Sequence, residues 1–187
     1  MPNGYFSHPI LFLIDVLFGF YMGLVALRII MQWAQWEYHN PLVQIIIKTT
    51  QIPVKFLRQF IPAFGRWDTA TIVLLVLLAL IKLLLIGLFQ PSLLHLIFIL
   101  RLAVADIFSL FITLFSASII IQAILSWVQP QNYNPITPLL SRMNNPLLRP
   151  IRRILPDMGG LDLSPLVALL GLQLLSMLIL PLLTNQF

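Results

Sequence analysis

No cysteine occurs anywhere in the 187 residues. Thiolate metal centres, disulfides and cysteine nucleophiles are therefore excluded, and the redox compartment stays undetermined. Charge is nearly as scarce: Asp, Glu, Lys and Arg make up 9% of the chain, against roughly 25% in an ordinary soluble domain. A chain that is 59% hydrophobic with a mean hydropathy of +0.96 cannot cover a water-facing surface, which excludes a soluble globule. Histidine is limited to His8, His39 and His95, which are scattered without metal-ligand spacing. Paired membrane carboxylates, a nucleophile elbow and a phosphate loop are all missing, so catalysis, a metal and a cofactor are not expected. The first nine residues hold no Lys or Arg and no small-residue cleavage pattern, so no signal peptide is expected there.

Acidic residues number six against eleven Lys and Arg, and the cations are concentrated. One group is Lys48, Lys55, Arg58 and Arg66; the other is Arg142, Arg149, Arg152 and Arg153. In a soluble protein a formal charge of +5 would suggest nucleic acid. Beside long apolar runs, such clusters instead orient the chain and attract anionic head groups, so direct nucleic-acid binding is not expected.

Crossing about 30 Å of hydrocarbon takes roughly 20 mainly apolar residues, and four windows qualify: 10–33, 69–89, 107–128 and 163–183. The first ends in an aromatic interface cluster, Trp33, Trp36 and Tyr38. The stretch 92–105 is apolar but carries His95 and Arg101. Joined to the third window it would make a helix about 55 Å long, so it reads as an interfacial helix or as a membrane-external extension of that span. With four spans, both basic loops fall on one side. The tendency of Lys and Arg to stay cytoplasmic puts the loops inside and both termini in the periplasm.

The loops at 34–68 and 129–162 are two copies of one pattern. Subtracting 94 places Trp127 on Trp33, Asn134-Pro135 on Asn40-Pro41, Pro156 on Pro62, Gly159 on Gly65 and Asp162 on Asp68. Arg142 falls on Lys48, Arg149 on Lys55 and Arg152 on Arg58. The expected fold is an all-α membrane protein of two parallel tandem repeats. In each, a basic amphipathic interfacial loop-helix joins two transmembrane helices. Repeat 1 covers 10–90, a linker or interfacial helix 91–106, and repeat 2 107–183. Parallel repeats differ from the inverted ones common in secondary transporters.

Within the first loop Gln44, Lys48, Gln51, Lys55 and Arg58 recur every three or four residues, one face of a helix, with Ile45, Ile46, Ile52, Phe56 and Leu57 between them. Arg142, Asn145, Arg149, Arg152 and Arg153 repeat this among Leu139, Leu140, Leu147, Leu148 and Ile151. Such helices lie in a membrane surface, apolar side down and cationic side up. Pro53, Pro146 and Pro150 fall inside the stripes and predict two short helices with a kink, Asn145 capping a helix that starts at Pro146. Two readings stand: a linker that orients the spans, or a docking surface for lipid or a partner. The Pro-Gly segment after each stripe, Pro62 with Gly65 and Pro156 with Gly159 and Gly160, predicts a sharp reversal. Asp68 is placed to cap the second span, and Asp162 or Ser164, with Pro165 as first helical residue, to cap the fourth; ion coordination by the two aspartates is the alternative.

The run Asn145-Pro-Leu-Leu-Arg-Pro-Ile-Arg-Arg-Ile-Leu-Pro156 is preceded by Asn134-Pro135 and followed by Asp-Met-Gly-Gly-Leu-Asp162-Leu-Ser-Pro165. It resembles the signature of the YggT family, small bacterial inner-membrane proteins with plastid and cyanobacterial relatives called YlmG. The resemblance covers nearly the whole chain. The first copy is looser: Pro53 departs from the register of Pro146, Arg66 stands opposite Gly160 and Thr71 opposite Pro165. The resemblance implies an integral membrane protein without known catalysis. For bacterial relatives it implies links to osmotic tolerance and potassium homeostasis. For YlmG relatives it implies links to cell division, nucleoid distribution and assembly of photosynthetic complexes.

Ionisable groups inside spans cost about 2.5–3.5 kcal/mol each on insertion scales, so each needs a reason. Arg28 is near enough to Trp33 to snorkel to head groups. Asp15 and Lys82 both belong to the outer half of the bilayer, where they can pair, and Arg101 and Asp106 flank the outer interface. Two functions follow as expectations. One is a scaffold or assembly factor whose Lys48, Lys55, Arg58, Arg142, Arg149, Arg152 and Arg153 contact anionic inner-leaflet lipid, a membrane-protein partner or a second copy. The alternative is a component of osmotic-stress tolerance or cation transport centred on Asp15 and Lys82, although no filter-like Gly-rich run lies inside a span.

Overall fold

A computed structural model describes residues 7–63, 67–89, 95–128, 135–155 and 162–184. They form six helices: α1 (Ser7–Trp33), α2 (Pro41–Arg58), α3 (Thr69–Phe89), α4 (Leu96–Val128), α5 (Ile136–Ile154) and α6 (Ser164–Thr184). The helices α1, α3, α4 and α6 are long and apolar enough to cross a membrane. Each repeat is thus a span, a surface helix and a second span, and both repeats run the same way. Gly65, Arg66, Asn134, Pro156, Gly159, Gly160, positions 91–94 of the linker and the Trp127 side chain lie outside the described residues.

The segment 96–105 is not a separate helix. It is the first part of α4, whose 33 residues run without interruption for about 50 Å. No Gly or Pro breaks this stretch, and Ile99, Ala103 and Ala105 are buried along it.

At its C-terminus α1 closes in a Schellman turn. Gln35 takes a left-handed φ of 51°, its N–H donates to the Gln32 carbonyl, and the Trp36 N–H donates back to Met31 at 3.0 Å. Met31 and Trp36 pack in one buried cluster, the apolar contact that accompanies this motif. Four residues on, Asn40 caps α2 by accepting the Leu42 N–H at 3.0 Å, with Pro41 as first helical residue.

The surface helices are each continuous, contrary to the kinked pairs predicted from their prolines. Pro53 lies within the 18 residues of α2, and Pro146 and Pro150 within the 19 of α5. Pro146 and Pro150 sit on the exposed side of α5. Burial of the opposite side holds the helix together despite the lost bonds. Asn145 is accordingly not a cap; its amide donates to the Ser141 hydroxyl at 3.2 Å.

Three buried clusters hold the bundle. Met22, Val25 and Ala26 of α1 meet Ala70, Leu74, Leu75 and Ala79 of α3, with Val54 of α2 and Ala103 of α4. Alanines at this junction let helix backbones approach closely, which drives packing where lipid removes any hydrophobic advantage. Leu139 and Met143 of α5 reach across to Ile30, Met31, Trp36, Val43 and Ile46 and join the repeats. Ile119, Leu148 and Ala168 form the smaller core of repeat 2.

Candidate functional site

The seven basic residues singled out from the sequence are all exposed, on the outer sides of α2 and α5. Three are already engaged. Arg58 pairs with Asp68, Arg152 with Asp162 at 2.8 Å, and Arg142 bridges the repeats to Glu37 and the Gln35 carbonyl. Among the described residues no ion pair reaches Lys48, Lys55, Arg149 or Arg153. These four are the cations open to an external anion.

The apolar side of α2 is divided in two, where the sequence suggested one face. Val43, Ile46, Thr50 and Val54 are buried against the bundle. Ile45, Ile52 and Phe56, continued by Phe60, form a second ridge that stays exposed. In α5 the buried side is broader, and only Ile136 and Ile154 stand out as exposed large apolar residues.

Beneath the surface helices lie two polar clusters at matching positions. In repeat 1, Arg28 is buried, 5% exposed. Its guanidinium donates to the Thr50 hydroxyl at 2.8 Å and stands 3.9 Å from Asp68. It does not snorkel to the membrane surface, because Thr50 and Asp68 supply acceptors within the bundle. Asp68 also accepts from Arg58 Nε at 3.1 Å and the Thr71 hydroxyl at 2.8 Å, while its own N–H donates to Gln32. Burial would raise the Asp68 carboxyl; hydrogen bonds from Arg58 and Thr71 and the charges of Arg58 and Arg28 outweigh it and hold it below the usual carboxylate range.

Adding 94 carries Arg28 onto Gln122 and Thr50 onto Asn144. The same contact recurs in neutral form: Asn144, fully buried, donates to Gln122 at 2.8 Å and accepts from the Ser118 hydroxyl at 2.6 Å. With no buried arginine beside it, the Arg152–Asp162 pair lies open, 44% and 45% exposed. Burial raises Asp162 too, but hydrogen bonds from Ser164 and the charge of Arg152 bring it below its ordinary value. Asp162 accepts the Ser164 N–H at 3.0 Å and so caps α6, with Ser164 first and Pro165 second in the helix. Asp68 occupies the equivalent position before α3 but gives its oxygens to side chains. Each aspartate pairs with the arginine ten residues before it, and Asp68 pairs with Arg28 as well.

The Asn-Pro motifs meet: the Asn40 amide donates to the Pro135 carbonyl at 2.7 Å. Pro62 accepts the Thr69 hydroxyl, tying the start of the reversal to α3.

At the other end of the bundle Lys82, 8% exposed, pairs with Asp15 at 2.7 Å and with Asp106 at 3.0 Å. Asp106 is the partner that the sequence reading missed. Its depth was available, since counting 1.5 Å per residue back from Val128 puts it about 33 Å from the surface-helix end, near Asp15. The three line an open cleft of about 420 Å³ with Ser109 and Thr184. Among the described residues no group of three His, Asp, Glu or Cys side chains could hold a metal.

The sequence pattern of the CCB3/YggT family matches this chain twice, over 7–89 and over 101–183, one match per repeat. The chain belongs to the CCB3/YggT family. Relatives include the uncharacterized protein PA0392 of Pseudomonas aeruginosa PAO1, 37% identical over 90% of this chain and 87% of the relative. The uncharacterized protein YggT of Escherichia coli K12 is 38% identical over 89% of this chain and 86% of its own. No solved structure matches. The CCB3/YggT matches divide the chain where the 94-residue register does.

Proposed function

We propose that this CCB3/YggT protein is a non-catalytic scaffold of the bacterial inner membrane. Its α2 and α5 lie in the cytoplasmic leaflet surface and hold anionic lipid or an assembling partner through Lys48, Lys55, Arg149 and Arg153. The observation that carries this reading is that these four cations stand exposed with no ion pair among the described residues, while Arg58, Arg142 and Arg152 are committed to acids of the chain. Near an anionic leaflet each unpaired cation is worth about 1 kcal/mol, so the four supply about 4 kcal/mol, weakening with salt. The exposed ridge of Ile45, Ile52 and Phe56 beside the cationic edge of α2 suits insertion at the acyl boundary. Changing all four cations to Gln and measuring retention of anionic lipid by native mass spectrometry, with in-cell crosslinking from positions 55 and 149, tests it. Lost retention with intact insertion is expected; unchanged lipid and crosslinks reject the reading.

The alternative, a component of cation transport or osmotic tolerance, is favoured by one observation: Lys82 sits between two carboxylates at an open cleft. Potassium flux into liposomes that changes on Lys82→Leu would support it, and silent liposomes would count against it.

A further inference from the structure

The contact that joins the repeats leaves its own counterparts uncovered. Repeat 2 packs onto repeat 1 largely through Ile107, Leu110, Phe111 and Leu114 of α4. Subtracting 94 gives Leu13, Val16, Leu17 and Phe20 of α1. These are exposed at 57%, 48%, 59% and 71%. The same holds at the surface helices: Leu139, buried where α5 meets repeat 1, has Ile45 as its counterpart, and Ile45 is exposed.

The receiving side behaves alike. Ala26 and Ile30 of α1 are buried. Their counterparts Ile120 and Ile124 are exposed and line an open groove of about 700 Å³ among α4, α5 and α6. A third of the α3 span is buried but only 6% of the α6 span. A closed two-fold arrangement would cover α6 with α1 as α4 covers α3. Instead α6 packs against α4 and α5. The relation between the repeats is open, with a donor face vacant at one end and a receiver face vacant at the other.

We propose that a second copy of this chain docks its first repeat onto the second repeat of the first copy, reproducing between molecules the contact that joins the repeats within one. Such a head-to-tail contact builds a ring if its rotation closes and a row if it does not. Apolar exposure alone would suit lipid; the choice of a second copy rests on register, because each vacant surface has a twin that this chain already covers with its other repeat. The inference goes beyond the scaffold reading by naming the partner of the spans, and it does not use the four unpaired cations.

The absence of cysteine makes the test direct. The contact of Lys82 with Asp106 maps onto Ser176 of one copy and Phe12 of the next. Phe12 is 70% exposed and Ser176→Cys is a small change, so both variants are expected to fold. In membranes, the Phe12→Cys, Ser176→Cys double variant should crosslink with a short bis-maleimide, which spans the reach of the lysine–aspartate contact, with loss of the monomer band, and neither single variant should do so. Crosslinking of the Phe12→Cys single variant would instead indicate a two-fold contact and overturn the proposal. So would a monomer in native mass spectrometry with phospholipid seated in the groove. Separately, Leu13→Ala with Leu17→Ala should shift the native species toward monomer. Neutralising Lys48, Lys55, Arg149 and Arg153 should leave the crosslink unchanged, so failure of the scaffold reading and failure of this one are distinguishable.

Discussion

Replacing Asp68 by Asn keeps the side-chain shape and removes one charge. The consequence falls on Arg28, which is 5% exposed and has its nearest counter-charge at 3.9 Å. At an effective dielectric of about 20, that separation corresponds to about 4 kcal/mol of attraction. Removing one partner from a buried pair costs about 3–5 kcal/mol, because the other charge stays buried. Arg58 adds little, since its side chain is half exposed and water screens it. Asp162→Asn supplies an internal control at the matching position. Both members of that pair are nearly half exposed, so its loss is expected to cost about 1 kcal/mol or less, and Asn still caps α6. Arg28→Gln installs the residue that repeat 2 carries at Gln122, so adding it to Asp68→Asn should recover most of the loss. Intrinsic tryptophan fluorescence during denaturant unfolding in micelles measures the three variants against wild type. Equal losses for Asp68→Asn and Asp162→Asn, or no recovery on adding Arg28→Gln, would refute the argument that a buried arginine sets the difference.

Gln35→Gly should stabilise the fold by about 1 kcal/mol, because glycine adopts the left-handed conformation at the end of α1 without steric cost; an unchanged or lower unfolding midpoint contradicts this. Lys82→Met leaves Asp15 and Asp106 without their shared cation and should cost about 3 kcal/mol. Asp15→Asn leaves Lys82 paired with Asp106 and should cost less than Lys82→Met, and the reverse order would overturn the assignment. Acid should destabilise the protein through Asp68. Its folded-state pKa is depressed, so the stabilisation is fully present above the ordinary carboxyl value of about 4 and is lost as pH falls through the folded value. Unfolding midpoints followed from pH 7 downward should fall more steeply in acid for wild type than for Asp68→Asn.

The repeat and its four spans were legible because apolar length and a fixed 94-residue offset are properties of the sequence itself. The exposure of Lys48, Lys55, Arg149 and Arg153 followed from helical spacing. The division of each stripe into two short helices did not materialise, because tertiary burial of α2 and α5 outweighed a local rule. Arg28 was read as snorkelling since its depth was known but its acceptor Thr50, on another helix, was not. The neutral cluster of Gln122, Asn144 and Ser118 went unnoticed for the opposite reason. Uncharged side chains inside a span attract no attention until the register aligns them with Arg28 and Thr50. The division of the α2 apolar residues between bundle and exterior depends on where neighbouring helices stand, which periodicity cannot supply.

Single cysteines placed at Lys55 and Arg149 of the otherwise cysteine-free chain probe the sidedness on which the scaffold account depends. A membrane-impermeant maleimide should label neither position in intact cells and both in inverted membrane vesicles, leaving the cationic edges of α2 and α5 against the inner leaflet. Labelling of either position from outside the cell would contradict that account.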